Sequence, residues 1–300
     1  MKQWWRETLA RLLGAPIVML LISIATVQIG SSIAKDLYSA AAPLTVAWLR
    51  LGAAAVILGL VTRPRLTGRT AADWGWVTAY GACMAAMNVT FYLAIERIPV
   101  GMAVTLEFLG PLGVSVALSR RLRDLAWVGL AAIGVALLGF APGDLDPVGV
   151  LWALAAGALW AGYILLAGPT GRRWAGVDGV AVAFWIGFLG VTPLMLAAGA
   201  FPAPSLHVWL VGAAVGLFSS VVPYGIEMGV MRRIEPRIFG ILMSLEPAVA
   251  ALAALLLLGE TLRPVEILAM ACVVAASIGV VRTARKTTAT GTELAADEGA

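Results

Sequence analysis

Two carboxylates lie close to prolines inside long apolar segments. Glu107 stands four residues before Pro111 in an apolar run from about residue 99 to 119, and Glu246 directly precedes Pro247 in a run from about 238 to 258. A carboxylate at the bilayer centre costs roughly 2.5 kcal/mol or more, so it needs a partner, a wet cavity or a proton. Proline frees a carbonyl in the preceding turn and kinks the helix. The two stretches therefore predict a polar site between two halves of the chain, with Pro111 and Pro247 as helix-kink residues.

The composition is that of a membrane protein with many spans. Of the 300 residues 61% are hydrophobic and 13% are charged, and the mean hydropathy is +0.92. A soluble domain carries about 25% charged residues. The net charge of +4 does not indicate nucleic-acid binding, because the basic residues stand in short clusters between apolar runs, where such clusters set topology.

Ten apolar runs predict ten transmembrane helices, over about 15–34, 43–62, 74–95, 99–119, 125–141, 148–168, 179–199, 207–231, 238–258 and 264–281. Of the 21 Lys and Arg residues, 17 fall at one set of loop ends and only Lys35, Arg97 and Arg263 at the other, with Arg50 left inside a span. Positive residues mark cytoplasmic loops, so both termini are predicted to be cytoplasmic.

A weak internal repeat organises these spans. At an offset of 136 residues, Arg97-Ile98 aligns with Arg233-Ile234 and Leu109-Gly-Pro111 with Leu245-Glu-Pro247. A unit of five spans is odd in number, so its second copy enters the membrane from the opposite side. We therefore predict an all-α integral membrane protein with two inverted five-helix repeats, residues 1–146 and 147–286, and a disordered cytoplasmic tail at 287–300.

The motifs resemble a known family. The chain resembles the EamA-type branch of the drug/metabolite transporter superfamily, and within it the bacterial amino-acid exporters of the YddG-like and RhtA-like threonine/homoserine kinds. The similarity is carried by Leu-Glu-Phe-Leu-Gly-Pro at 106–111 and Leu-Met-Ser-Leu-Glu-Pro at 242–247, with further stretches at 28–35, 45–51, 91–95, 158–164, 222–228 and 258–262. This resemblance implies inner-membrane export of amino acids, aromatic or small and neutral such as threonine, homoserine and methionine, by alternating access at a central cavity. By analogy with the family, the first, third, fourth, sixth, eighth and ninth spans would line that cavity.

Polar and aromatic residues inside the spans are the candidates for this cavity. We expect substrate binding by Tyr80, Asn88, Tyr92, Glu107, Trp160, Tyr163, Tyr224 and Glu246, with support from Gln28, Ser31, Arg50 and Ser244. Each glutamate either receives a substrate amine or a proton, or serves its own helix. Because Glu246 directly precedes a proline, a structural role is expected for it more than for Glu107. Arg50 holds a substrate carboxylate, neutralises a glutamate or extends to a membrane interface.

Other functions find less support in the sequence. We see no Ser/His or Cys/His set and no metal-ligand spacing, so neither an intramembrane enzyme nor a metal or other cofactor is expected. A phosphate-binding GxxxxGK[ST] motif is absent, which argues against a nucleotide. The expected partners are the lipid bilayer and an amino acid or other amphipathic small molecule. The alternative is a multidrug or quaternary-ammonium exporter, since aromatics with carboxylates suit cations. The sequence leaves energy coupling and oligomeric state open, with a monomer among the options.

Overall fold

A computed structural model describes residues 15–117, 125–139, 146–201, 205–231, 233 and 236–284, and every regular element in this part is a helix. In chain order the helices are α1 (Pro16–Asp36), α2 (Pro43–Thr62), α3 (Ala71–Ile95), α4a (Val100–Glu107), α4b (Leu109–Ala117), α5 (Leu125–Gly139), α6 (Pro147–Gly171), α7 (Asp178–Ala197), α8a (Leu206–Gly216), α8b (Val222–Met231), α9a (Pro236–Met243), α9b (Glu246–Leu258) and α10 (Pro264–Ala284).

Nine segments of the described chain are long and apolar enough to cross a membrane, if α4a and α4b, α8a and α8b, and α9a and α9b are each taken as one span, called α4, α8 and α9 below. The remaining predicted span corresponds to α5, which is apolar but has only 15 residues within the described part. The prediction of an all-α membrane protein is confirmed for these residues. The first 14 residues, the loop segments 140–145 and 202–204 and the predicted tail at 287–300 lie outside the described residues.

Local signals in the sequence account for where several helices begin. Proline occupies the first turn of α1, α2 and α6, where its missing N–H costs nothing. The α3 helix begins with a capping box, in which the Thr70 side chain accepts from the Asp73 N–H and the Asp73 carboxylate accepts from the Thr70 N–H. The side chain of Asp146 caps α6 by accepting from the Val148 N–H.

Three spans are interrupted near their middle. The fourth breaks at Phe108, directly after Glu107, and the ninth breaks at Ser244 and Leu245, directly before Glu246. The eighth contains a π-helical turn, Leu217–Val221. The breaks in the fourth and ninth spans lie beside Pro111 and Pro247, and both place a glutamate at the interruption.

The helices pack in a regular pattern. The α3 helix packs on α6 and α7, and α8 packs on α1 and α2. Likewise α4 packs on α6, and α9 packs on α1. The remaining main contacts join α2 to α7, α4a to α9b, and α5 to α10. The three interrupted spans thus meet α1, α3 and α6 around the centre of the bundle.

Candidate functional site

A cavity of about 160 Å³ lies at this centre. Its wall carries both broken spans and the π-helical turn of α8, together with residues of α1, α2, α3 and α6. Its lining residues are Val27, Gln28, Ser31, Arg50, Met87, Asn88, Phe91, Val104, Glu107, Trp160, Tyr163, Ser219, Pro223, Tyr224, Glu227, Met243 and Glu246. The predicted set of lining spans therefore agrees with the geometry, with α2 added through Arg50.

Three carboxylates share this wall. Glu107 ends α4a and Glu246 begins α9b, and both residues are buried, whereas Glu227 on α8b is half-buried. The Glu227 Oε1 atom accepts a hydrogen bond of 2.9 Å from the Ser23 hydroxyl. No hydrogen bond or ion pair to Glu107 or Glu246 exists among the described side chains, so both carboxylates are available to a bound molecule.

Arg50 is the one basic residue on the described cavity wall. Its Nε donates to the Ser220 hydroxyl at 3.0 Å, one Nη donates to the Ser219 carbonyl at 2.9 Å, and the other reaches the Tyr92 hydroxyl at 3.4 Å. Among the described residues Arg50 forms no direct ion pair with a glutamate. A guanidinium has five N–H donors, so this anchoring leaves donors for a carboxylate in the cavity.

The aromatic side of the cavity is held by contacts between rings. The Tyr163 and Tyr224 hydroxyls lie 2.5 Å apart, which ties α6 to α8. Tyr80 stacks on Tyr163 with ring centroids 4.7 Å apart. The Trp160 ring meets Phe108, the residue at the α4 break, edge to face at 5.4 Å. These pairs fix both the shape of the cavity and the aromatic faces on its wall.

Nine of the twelve predicted binding and supporting residues lie on the cavity wall, and three lie behind it. Tyr80 is covered by the ring of Tyr163, and Tyr92 lies next to the Arg50 guanidinium, so each supports a wall residue. The Ser244 hydroxyl is buried and pairs with the Ser277 hydroxyl of α10 at 2.8 Å. For these three residues the geometry favours support over direct contact with a substrate.

The sequence places Glu227, Ser219 and Pro223 on one polar face of the eighth span with Tyr224, and all three line the cavity, although they are not among the selected binding residues. The π-helical turn adds a residue to one helical turn and so changes which side chains face inward. A regular period of 3.6 residues cannot show that change.

The α6 backbone packs closely against the backbone of Glu107. Pro111 has no N–H to bond the Glu107 carbonyl, and Gly157 of α6 lies against that carbonyl. A Cβ added at Gly157 would stand 2.8 Å from this oxygen, and one added at Gly110 would collide with the Gly157 carbonyl. The space beside Gly110 is thus filled by the backbone of α6.

The bundle end where α1 finishes and α4a starts carries a cluster that we call the clamp: Lys35, Ile98, Val100 and Glu260. The Lys35 ammonium lies 2.5 Å from Glu260 Oε1 and donates to the Ile98 carbonyl at 3.0 Å. The other Glu260 oxygen, Oε2, accepts from the Val100 N–H at 2.9 Å. The clamp joins α1 and the start of α4a to the loop between α9b and α10.

A second ion pair lies beside the clamp. One Arg97 Nη stands 2.8 Å from Asp146 Oδ2. This hydrogen bond, together with the Val148 N–H, holds the pKa of Asp146 below its usual range. Arg97 is exposed to solvent and Asp146 is partly exposed, so the pair orients the loop and adds little to stability.

Comparison with known proteins decides the family. The model of the EamA-like transporter family matches residues 147–282. The threonine/homoserine exporter RhtA of Escherichia coli K12 is 39% identical over 278 residues, which cover 90% of this chain and 92% of that protein. The protein of the same name from Salmonella typhimurium LT2 is 38% identical over the same length.

The chain belongs to the EamA-like transporter family. The resemblance to EamA-type amino-acid exporters is thereby confirmed, and the chain is a transporter rather than an enzyme. A solved crystal structure that is 18% identical covers 90% of this EamA-like transporter and 98% of its own chain, with a TM-score of 0.60. At that identity the likeness supports the fold alone.

The cavity of this transporter offers binding rather than bond-breaking chemistry. The described residues contain no cluster of His, Cys, Asp and Glu side chains arranged to hold a metal ion. They do place one guanidinium and three carboxylates around a space of about 160 Å³. Such a wall can bind a molecule that carries both a negative and a positive group.

Proposed function

We propose that this EamA-like transporter exports threonine, homoserine and related small amino acids from the cytoplasm across a bacterial inner membrane, with the central cavity as the binding site. The observation that carries this proposal is that Arg50, Glu107 and Glu246 all line the same cavity. An amino acid at neutral pH is a zwitterion, whose carboxylate suits a guanidinium and whose ammonium suits a carboxylate.

The cavity size is compatible with a small amino acid. One water needs about 10–15 Å³ of such cavity volume, so a cavity of about 160 Å³ holds on the order of ten waters. Threonine and homoserine each fit in that space. The similarity to exporters named for threonine and homoserine points to the same substrates.

Alternating access is supported by the symmetry of the packing. If each helix is paired with the helix five places later, the α3–α6 contact corresponds to α8–α1, α3–α7 to α8–α2, and α4–α6 to α9–α1. The α2–α7, α4–α9 and α5–α10 contacts map onto themselves. The family match, residues 147–282, begins where the second proposed repeat begins. Two inverted halves around one central site form a common architecture for secondary transporters.

We assign the clamp to the extracytoplasmic face on the basis of the charge distribution. Lys35, Arg97 and Arg263 are the few basic residues at this set of ends, while 17 others stand at the opposite set. Short loops rich in Lys and Arg remain in the cytoplasm. With this orientation the clamp would close the cavity to the outside, and it must open for release of the amino acid.

Export of quaternary-ammonium or other lipophilic cations is the second candidate. It is favoured by the rings of Trp160, Tyr163 and Tyr224, which line the cavity together with the three carboxylates. Arg50 argues against it, because a fixed guanidinium on the wall repels a cation and has no partner on a substrate that lacks an anionic group.

Growth of a sensitive bacterial strain tests the proposed function. Expression of the transporter should raise the tolerated concentration of a toxic hydroxy-amino-acid analogue several-fold, because export lowers its internal level. The Glu107→Gln variant should lose most of this protection, and the Gly113→Ala variant, whose added Cβ meets open space, should keep it. Protection against lipophilic cations alone would reject amino-acid export.

A further inference from the structure

An apolar groove of about 750 Å³ runs along the outer face of the bundle, between the second half of α2 and α7. We call it the α2–α7 groove, and its wall includes Val56, Leu60, Arg63, Leu66, Trp185 and Leu189. The three leucines are half or more exposed. Lipid tails are as apolar as leucine, so exposed leucines are normal on a membrane-spanning surface and do not mark a site. Two hydrogen-bond donors on the same wall, Arg63 and Trp185, give the groove a polar function as well.

Arg63 is the one charged residue on the described wall of this groove. The residue is exposed, and its guanidinium has no hydrogen bond, ion pair or ring contact with the described part of the chain. Its backbone φ is 49°, the one positive φ of a non-glycine residue among the described residues. A helix that ends in this conformation usually has glycine or asparagine there, because a Cβ is strained. The arginine therefore lowers backbone stability, and no contact of its side chain within the described structure compensates for that loss.

The second donor is the indole N–H of Trp185 on α7. The indole nitrogens of Trp48 and Trp174 each donate a hydrogen bond, whereas that of Trp185 has no acceptor among the described residues. It packs against Gly59, where an added Cβ would stand 2.7 Å from Nε1. Gly59 lies one helical turn before Arg63, whose N–H bonds the Gly59 carbonyl at 3.0 Å. The two donors therefore stand against α2 at positions about one helical turn, or roughly 5.4 Å, apart.

A phospholipid carries two kinds of acceptor and an apolar part in the matching order. Its phosphate is an anion that suits a guanidinium, its glycerol ester carbonyls lie deeper and accept from an indole N–H, and its acyl chains are apolar. From Arg63 the groove extends back to Val56, which is roughly 10 Å along α2. One leaflet contributes about 15 Å of hydrocarbon, so the groove accommodates most of one acyl chain.

The charge at this end of the bundle favours an anionic lipid. The loop after α2 carries Arg65 and Arg69 besides Arg63, and it belongs to the set of loop ends that holds 17 of the 21 basic residues. Basic segments next to a membrane span attract anionic headgroups. A zwitterionic phospholipid carries its own ammonium beside the phosphate, so its phosphate is a weaker partner for Arg63.

We propose that the α2–α7 groove is a binding site for one anionic phospholipid of the surrounding membrane. Arg63 donates to the phosphate, the Trp185 N–H donates to an ester carbonyl, and an acyl chain lies along Val56 and Leu60. The bound lipid joins the end of α2 to α7 and so stabilises the folded transporter. The site shares no lining residue with the central cavity and does not depend on which substrate is exported.

Native mass spectrometry and thermal unfolding of the purified full-length transporter in detergent test this site. The probes are phosphatidylglycerol and phosphatidylethanolamine with the same acyl chains. We expect one phosphatidylglycerol to bind about tenfold more tightly than phosphatidylethanolamine and to raise the melting temperature. Arg63→Gln should weaken phosphatidylglycerol binding about tenfold, because a hydrogen bond to a charged group is lost. Trp185→Phe, which keeps an aromatic ring and loses the N–H, should weaken the binding several-fold.

The matched control is Arg65→Gln. It removes the same charge from the same loop, at an exposed residue outside the groove wall, and should leave phosphatidylglycerol binding unchanged. A second variant, Arg63→Gly, suits the positive φ. It should therefore raise the melting temperature of the lipid-free protein while abolishing the rise that phosphatidylglycerol produces.

Several results would overturn the lipid site. Equal affinity for the two lipids would reduce the groove to ordinary contact with the bilayer, and equal losses in Arg63→Gln and Arg65→Gln would show general charge attraction. Inorganic phosphate that raises the melting temperature as much as phosphatidylglycerol would show a site for a soluble anion. A dimer that persists without bound lipid and is lost in Arg63→Gln would assign the groove to a second copy of the chain.

Discussion

Lys35 and Glu260 join opposite halves of the chain at one end of the bundle. Their ammonium and carboxylate atoms lie 2.5 Å apart, and the second Glu260 oxygen caps the start of α4a through the Val100 N–H. Their side chains are 21% and 19% exposed, so the pair is only partly screened by solvent. One carboxylate thus fixes both α1 and the broken fourth span.

Breaking this pair should open the cavity toward the outside. In a chain with Cys83 and Cys272 replaced, a cysteine at Ser31 reports access to the cavity. Adding Lys35→Met should raise its labelling rate by an impermeant maleimide several-fold, because the clamp loses its ion pair. The double variant Lys35→Glu with Glu260→Lys restores an ion pair and should lower the labelling rate again, but only in part. A lysine at position 260 cannot accept the hydrogen bond from the Val100 N–H. Labelling that Lys35→Met does not change would contradict the clamp as a gate.

The two cavity glutamates should behave alike. The sequence favours a structural role for Glu246 more than for Glu107, yet no described backbone N–H bonds the Glu246 carboxylate, and Glu246 lines the cavity like Glu107. We therefore expect Glu107→Gln and Glu246→Gln each to reduce amino-acid transport tenfold or more, while neither lowers the melting temperature in detergent. A large fall in melting temperature for Glu246→Gln alone would restore its structural role.

The contact between α4 and α6 should tolerate no added methyl group. Gly157→Ala is expected to destabilise the folded protein by about 1–3 kcal/mol, because its Cβ meets the Glu107 carbonyl at 2.8 Å. The matched control is Gly113→Ala on the same broken span, where a Cβ meets nothing within 4 Å. Thermal unfolding of both variants in detergent measures the difference. Equal melting temperatures for Gly157→Ala and Gly113→Ala would show that α6 does not pack tightly against the interrupted fourth span.

Topology can be read from single cysteines. An impermeant thiol reagent added outside intact cells should label Asp144→Cys and should leave Gly171→Cys unlabelled, because the positive residues put the end of α6 in the cytoplasm. Permeabilised cells provide the control that both positions react. The reverse labelling pattern would invert the whole assignment and place the clamp at the cytoplasmic face.

The sequence predicted the helical fold well because its signals are local. Apolar length predicts spans, and proline predicts the breaks beside Glu107 and Glu246. The sequence also predicted Arg50 and the two glutamates as residues of one site, since a charge inside a span needs a polar environment. These features depend on composition and chain position, which a single sequence displays directly.

The remaining site residues depend on tertiary geometry. Tyr80 and Tyr92 share an apolar helix with Asn88, yet Tyr163 covers the first and Arg50 contacts the second. Glu227 lies on the eighth span after a π-helical turn, which shifts the direction of the following side chains. The hydrophobic periodicity of the sequence does not reveal that turn. The partner of Lys35 was also hidden, because Glu260 is 225 residues away in a loop.

Transport by purified protein tests the central claim most directly. Proteoliposomes containing this EamA-like transporter should take up radiolabelled threonine, with inhibition by unlabelled homoserine and little effect of a lipophilic cation. Arg50→Gln should weaken threonine uptake about tenfold or more, because the substrate carboxylate loses its guanidinium partner. Two results together would contradict amino-acid export and favour the cation exporter. The first is wild-type uptake of the lipophilic cation but not of threonine, and the second is cation uptake that is undiminished or enhanced in Arg50→Gln.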